Sequence, residues 1–155
     1  MRESVLRDFF SGLITPQALA EDVRGSTKQV TDIQSAVEIE DMQGPFRISR
    51  GMLVSLCDAV LSGRLPPADL AVIGFALMAS DAFEWDDDVM SEVIDDWSCP
   101  EINYALTPDH VEKFRNWLLG VEAYPARPIR KQASGPERLV SVRRKLKLGG
   151  TVLPR

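Results

Sequence analysis

The chain has 155 residues, 45% of them apolar, and a formal net charge of -5. That length and apolar content fit one domain with its own core and exclude a disordered chain, and no apolar run comes near the roughly 18 residues a membrane span needs. The charge is unevenly placed: residues 1–125 carry 9 Lys/Arg against 22 Asp/Glu, a balance of -13, whereas residues 126–155 carry 9 against 1, a balance of +8.

Val5, Leu6, Phe9 and Phe10 recur at helical spacing, so a first helix is expected over Glu3 to Phe10, with a stop at Gly12. Thr15-Pro16 then opens a short second helix to Val23. Thr accepts a hydrogen bond from an unpaired backbone N–H, and Pro loses nothing at the first helical position. Residues 25–48 carry mixed signals. Val30, Ile33 and Val37 sit at helical spacing, while the alternation of Val37 and Ile39 with Glu38 and Glu40 is that of a strand; a helix is the preferred expectation over 28–43. Ser49 is a candidate N-cap for an amphipathic helix bearing Met52, Leu53, Leu56, Val60 and Leu61, with Cys57 beside its apolar face.

Phe10-Ser11-Gly12 through Ala20 aligns with Leu61-Ser62-Gly63 through Ala71, each a helix ending in Ser-Gly with a restart at Pro, and both places are expected to be antiparallel helix pairs. The helix around Leu70, Ile73 and Leu77 is apolar nearly all round, which predicts a central position. Asp86-Asp87-Asp88 then supply a cap and first turn for a helix with Val89, Met90, Val93, Ile94 and Trp97 on one face. Thr107-Pro108 opens the last helix of the body, with Val111, Phe114, Trp117 and Leu118 inward and Gly120 as its stop. Residues 121–133 read as a linker. Ser134 and Glu137 are spaced as a capping box before Leu139, Val142 and Leu146, with Gly149-Gly150 as a stop, so a basic helix is expected over 138–148, although Val140, Val142, Leu146 and Leu148 also alternate as in a strand. The expected architecture is mainly α: a compact antiparallel helical bundle of five or six helices over 1–125, with a basic linker and tail over 126–155.

Chemistry has little foothold in this pattern. His110 is the only histidine and has no Ser or Cys nucleophile beside it, and glycine-rich phosphate loops, nucleophile elbows and paired-His zinc spacings are all missing from the sequence. A non-catalytic protein with no cofactor and no resident metal is expected. The Asp86–Asp88 run with Glu84 and Glu92 offers hard-cation oxygens but lacks the alternating ligands and central Gly of a calcium loop, and reads better as a solvated helix cap. The Met-Arg-Glu-Ser start with Asp8 lacks the basic, apolar and small-residue parts of a signal peptide, so the expected compartment is the cytoplasm, with Cys57 and Cys99 as free thiols.

From Leu65 through Glu112 there is no Lys or Arg and there are twelve carboxylates, a stretch of strong negative potential that repels nucleic acid. Within it, Glu84, Trp85, Asp86, Asp87, Asp88, Asp95, Asp96, Trp97 and Glu101 combine apolar anchors with a charged rim, the anatomy of a protein-binding hot spot. These nine residues are the candidate partner site, and the expected partner is a basic protein. The basic tail has no aromatic residue on which bases could stack, so it is expected to fold back on the acidic body or to reach into a partner rather than to bind nucleic acid.

The turn Phe10-Ser11-Gly12-Leu13-Ile14-Thr15-Pro16 and the Trp-bearing acidic region from Glu84 to Glu101 resemble the small acidic immunity proteins with which bacteria neutralise nuclease toxins. The resemblance implies a carboxylate-bearing helical face that mimics nucleic-acid phosphate and plugs a basic toxin site, with electrostatic steering giving fast capture. The basic tail departs from that pattern. The alternative is a structural or adaptor protein that forms homo- or hetero-oligomers through the acidic face and the tail.

Overall fold

The computed structural model describes residues 1–31, 34–126 and 140–145. It is mainly helical: among those residues it has α1 (Glu3–Phe10), α2 (Pro16–Val23), α3 (Arg50–Leu61), α4 (Asp69–Ala79), α5 (Asp88–Ser98) and α6 (Pro108–Leu119). The strands are β1 (Thr27–Thr31), β2 (Gln34–Glu40), β3 (Phe46–Arg47), β4 (Phe83–Glu84) and β5 (Val140–Lys145). None of the described helices is long and apolar enough to cross a membrane.

The caps fall where side-chain chemistry demands them. The Ala18 N–H donates to Thr15 Oγ1 at 3.2 Å, Met52 to Ser49 Oγ at 3.4 Å, Met90 to Asp87 Oδ1 at 3.0 Å and His110 to Thr107 Oγ1 at 3.3 Å. Each satisfies a donor left unpaired by the first helical turn. Gly120 ends α6 in the left-handed conformation, φ +73°, which an L side chain adopts only at a steric cost.

The Ser-Gly turns after α1 and α3 share one bonding scheme. The Leu13 N–H reaches Asp8 O and the Arg64 N–H reaches Ala59 O, both at 2.9 Å, with Gly12 and Gly63 both at φ +74°. Beyond the turns the two segments diverge. α1 packs on α2, whereas α3 packs chiefly against α6 and α4 against α5. The expected α3–α4 pair is therefore not a principal contact. Leu65, 1% exposed, is anchored in the core right after the turn, and Pro66-Pro67 carry the chain on before α4 begins without a side-chain cap.

Two expectations of helix are overturned. Within 28–43 the described residues form two antiparallel strands, β1 and β2, with Lys28 opposite Ala36 and Thr27 opposite Val37. The period-2 signal decides it: Val37 and Ile39 are buried while Glu38 and Glu40 are half-exposed, an arrangement only an extended chain gives. The basic segment expected as a helix over 138–148 contains β5, which pairs in parallel with β2, so the sheet order is β1-β2-β5. Its register sets Arg143 opposite Glu38 and Lys145 opposite Glu40, and alternation outweighs the helical reading here too. The proposed capping box at Ser134 and Glu137 and the stop at Gly149-Gly150 lie outside the described residues. So do Leu139, Leu146 and Leu148.

The core gathers every helix. Leu6, Leu19, Leu56, Ile73, Ile94, Trp97 and Phe114 are fully buried, and Trp97 meets Phe114 edge to face at 6.2 Å. α4 approaches α5 at Gly74, where a Cβ would stand 2.7 Å from Trp97 Cβ, 2.9 Å from Ser98 N and 3.0 Å from Ile94 O. Cys57 lies on the buried face of α3, and burial pushes its thiol up to about 12; Cys99 is half-buried, and both are free.

Candidate functional site

The acidic segment enters the fold through a short parallel pairing. β3 and β4 align Phe46 with Phe83 and Arg47 with Glu84, and the Phe46 and Ile48 N–H groups donate to Ala82 O (2.7 Å) and Glu84 O (3.0 Å). The strand 46–47 and the entry to α3 therefore run beside residues 82–88. This is how basic residues reach a stretch that has none of its own: Arg47 Nη2 lies 2.7 Å from Asp86 Oδ1, and Arg50 grips Asp87 through Nε (2.6 Å) and Nη2 (3.0 Å).

Eight of the nine candidate residues separate into three groups. Glu84, Asp86 and Asp88 are exposed and adjoin in sequence half-buried Trp85, whose indole N–H donates to Ser91 Oγ at 2.8 Å. Asp86 keeps 82% of its side chain in solvent despite its ion pair. Asp95, half-buried, lies toward the other end of α5, and Glu101, exposed, lies in the turn beyond it. At about 1.5 Å of rise per residue, Asp95 stands roughly 10 Å along the axis from Asp88, although Asp88, Glu92 and Asp95 share one stripe of the helix. The third group is structural. Trp97 and Asp96 are both fully buried, with Asp96 Oδ2 accepting a hydrogen bond from Tyr124 at 2.8 Å. They cannot face a partner, which corrects their assignment to the contact surface; the 3.6-residue period that makes α5 amphipathic turns both inward.

Asp87 sits between these categories. It caps α5 and is held by Arg50, whose Nη1 also reaches Leu118 O of α6 at 3.5 Å. The hydrogen bond from Arg50 holds its carboxyl below the ordinary 3.8, with the Met90 N–H acting in the same direction and partial burial against it. A depressed folded pKa contributes stability that is complete above the unfolded value and disappears as pH falls through the folded one. Asp87→Asn keeps the cap and loses the charge, so it is expected to cost at most about 1 kcal/mol at pH 7 and nothing at a pH below the folded value. Asp87→Ala should cost about 1 kcal/mol more at both pH values, because the cap is gone. Urea titrations at pH values stepped down from 7 measure both: the Asn penalty is expected to shrink as pH falls while the Ala excess stays, and an Asn penalty that does not depend on pH refutes the ion-pair account.

Beside the acidic segment lies an open groove of about 530 Å³ between the α1–α2 turn and α3. Phe9, Phe10, Ile14 and Met52 give it apolar walls, and Asp58 and Arg64 stand at its charged margin. Arg115 pairs with Asp58 at 2.6 Å, while Arg64 Nε donates to Ser62 Oγ at 2.8 Å. Sequence reading missed this groove, because its walls come from segments about forty residues apart and Phe9 and Phe10 look like ordinary core. Among the described residues no group of three or more His, Cys, Asp or Glu side chains is arranged to hold a metal ion.

No protein-family profile, curated protein or solved structure matches the chain.

Proposed function

We propose that the protein is a non-catalytic binding module that presents Glu84, Asp86 and Asp88, with the half-buried Trp85, to a basic protein partner. One observation carries this reading: three exposed carboxylates, Glu84, Asp86 and Asp88, flank half-buried Trp85 along the chain within a stretch, Leu65 to Glu112, that contains no Lys or Arg of its own. An apolar centre with a charged rim is how protein interfaces concentrate binding energy, and a rim that stays net negative with Arg47 paired to Asp86 steers a positively charged partner. α3 to α6, packing as an antiparallel bundle, would hold that face rigid. In its narrowest form the reading is a cytoplasmic bacterial immunity protein whose carboxylates occupy the phosphate-binding surface of a nuclease toxin. Asp87 and Asp96 serve folding in this account, and Asp95 on α5 and Glu101 beyond it would extend the acidic rim.

The test compares two sets of neutralisations of equal charge. Glu84→Gln with Asp86→Asn and Asp88→Asn removes the rim; Glu21→Gln with Asp109→Asn and Glu112→Gln removes three exposed carboxylates elsewhere. Binding of a fluorescently labelled Lys/Ser-repeat peptide, followed by anisotropy at low and at physiological salt, is expected to weaken about tenfold for the rim variant, or about 1.4 kcal/mol, and less than twofold for the other. Equal weakening would reduce the effect to net charge and remove the face from the account.

A further inference from the structure

The groove and the acidic rim are linked through the segment from Phe46 to Gly51 and through a buried aromatic contact. Phe10, a wall of the groove, meets Phe83 edge to face at 6.2 Å, and Phe83 is the residue before Glu84. Phe46 also meets Phe83 edge to face, at 6.1 Å. Ser49 and Gly51 line the groove, and the residue between them, Arg50, holds Asp87. Ile48, next to Ser49, donates its N–H to Glu84 O. Four consecutive residues, Ile48 to Gly51, thus join groove and rim.

From this continuity we propose that the groove receives an apolar side chain of the same basic partner: a short segment in which a large aliphatic or aromatic residue is flanked by Lys or Arg. The proposal rests on the acidic-rim reading and names what accompanies the charges. The chemistry divides along the surface. Phe9, Phe10, Ile14 and Met52 offer apolar walls in a space large enough for one or two side chains, while Glu84 and Asp88, together with Asp86 whose ion pair to Arg47 is solvent-exposed, carry the complementary charge for the flanking cations. A cation alone gains little from a solvated carboxylate, so an anchor buried beside the rim gives the interface the desolvated centre that concentrates affinity.

Gly51 offers a way to close the groove without disturbing the fold. It lies in the first turn of α3, is exposed, has no positive φ, and a Cβ there would meet only Ser49 Oγ, at 3.8 Å. Gly51→Phe therefore places a ring against the groove while improving local helix propensity. The experiment measures two 12-residue probes by fluorescence anisotropy, one of alternating Lys pairs and Leu, the other with every Leu replaced by Ser. They are titrated into the wild type, Gly51→Phe and the Glu84→Gln, Asp86→Asn, Asp88→Asn variant, with folding of each checked by circular dichroism.

The Leu probe is expected to bind the wild type at least tenfold more tightly than the Ser probe. Gly51→Phe should erase that advantage and leave the Ser probe unchanged. Equal binding of the two probes by the wild type, or an undiminished Leu advantage in Gly51→Phe, overturns the groove proposal. If in that case the rim variant still weakens the Ser probe, the acidic-rim reading stands alone. If the rim variant binds both probes like the wild type while Gly51→Phe loses the Leu advantage, the groove stands and the rim reading falls.

Discussion

Replacing Trp97 by alanine is expected to cost about 3–5 kcal/mol, the range for removing a large buried aromatic from a packed core. The side chain is wholly buried and lies against Phe114, and it sits where α5 meets α4 at Gly74. At about 2–4 °C per kcal/mol for a chain of this size, the thermal midpoint should fall by about 6–20 °C. Trp97→Phe separates the ring from its N–H. Trp97 Nε1 is buried and has no hydrogen-bond partner among the described residues, and an unpaired buried donor costs about 1–3 kcal/mol. Losing it offsets part of the volume lost with the indole, so Phe should lie within about 1 kcal/mol of wild type by the same two opposing magnitudes. Thermal and urea unfolding followed by circular dichroism decide the matter. A Phe variant as unstable as the Ala variant would show that the N–H is satisfied in solution; an Ala variant of near wild-type stability would show that Trp97 is not a core residue.

Gly74→Ala tests the same contact from the other helix. Helix propensity alone predicts a gain of up to about 1 kcal/mol. Packing predicts the opposite sign. The three atoms a methyl would meet are two backbone atoms of α5 and a Cβ, at 2.7 to 3.0 Å, and none can rotate out of the way. α4 and α5 would have to separate, and overpacking of this kind costs about 1–3 kcal/mol. The expected result is a net loss of stability, read as a lower urea midpoint with an unchanged slope. A stabilised Gly74→Ala protein would mean that the two helices are not in backbone contact.

Both substitutions bear on function because they mark which residues of α5 belong to the core. The carboxylates and aromatics of this helix look alike in the chain, yet their fates diverge within two turns: Asp88 is solvated, Asp87 is a cap gripped by Arg50, and Asp96 is buried on Tyr124. A binding experiment that neutralised Asp87 or Asp96 would confuse lost folding with lost contact. Substitutions at Glu84, Asp86 and Asp88 avoid that, since all three are exposed.

Much of this fold is local chemistry written in the chain. Glu3–Phe10 and Pro16–Val23 are the very helices that spacing and caps predict, and Thr15, Ser49, Asp87, Thr107 and Gly120 act as the stops and starts their side chains or backbones suit. Such signals are legible because a cap bonds within three residues and an amphipathic helix repeats its apolar face within four. The asymmetry of charge is likewise a property of composition. Where two local periods competed, over 28–43 and 138–148, sequence alone favoured helix, and strand pairing overruled it: β2 gains a hydrogen-bonded neighbour on each side only as a strand.

What no local rule supplies is which distant residues meet. Arg47 and Arg50 come to an acidic stretch that lacks cations of its own, Gly74 meets Trp97, and Phe10 meets Phe83 to join a groove to a charged rim. These contacts follow from burying all the apolar faces at once in one core, a condition on the whole chain rather than on any segment of it.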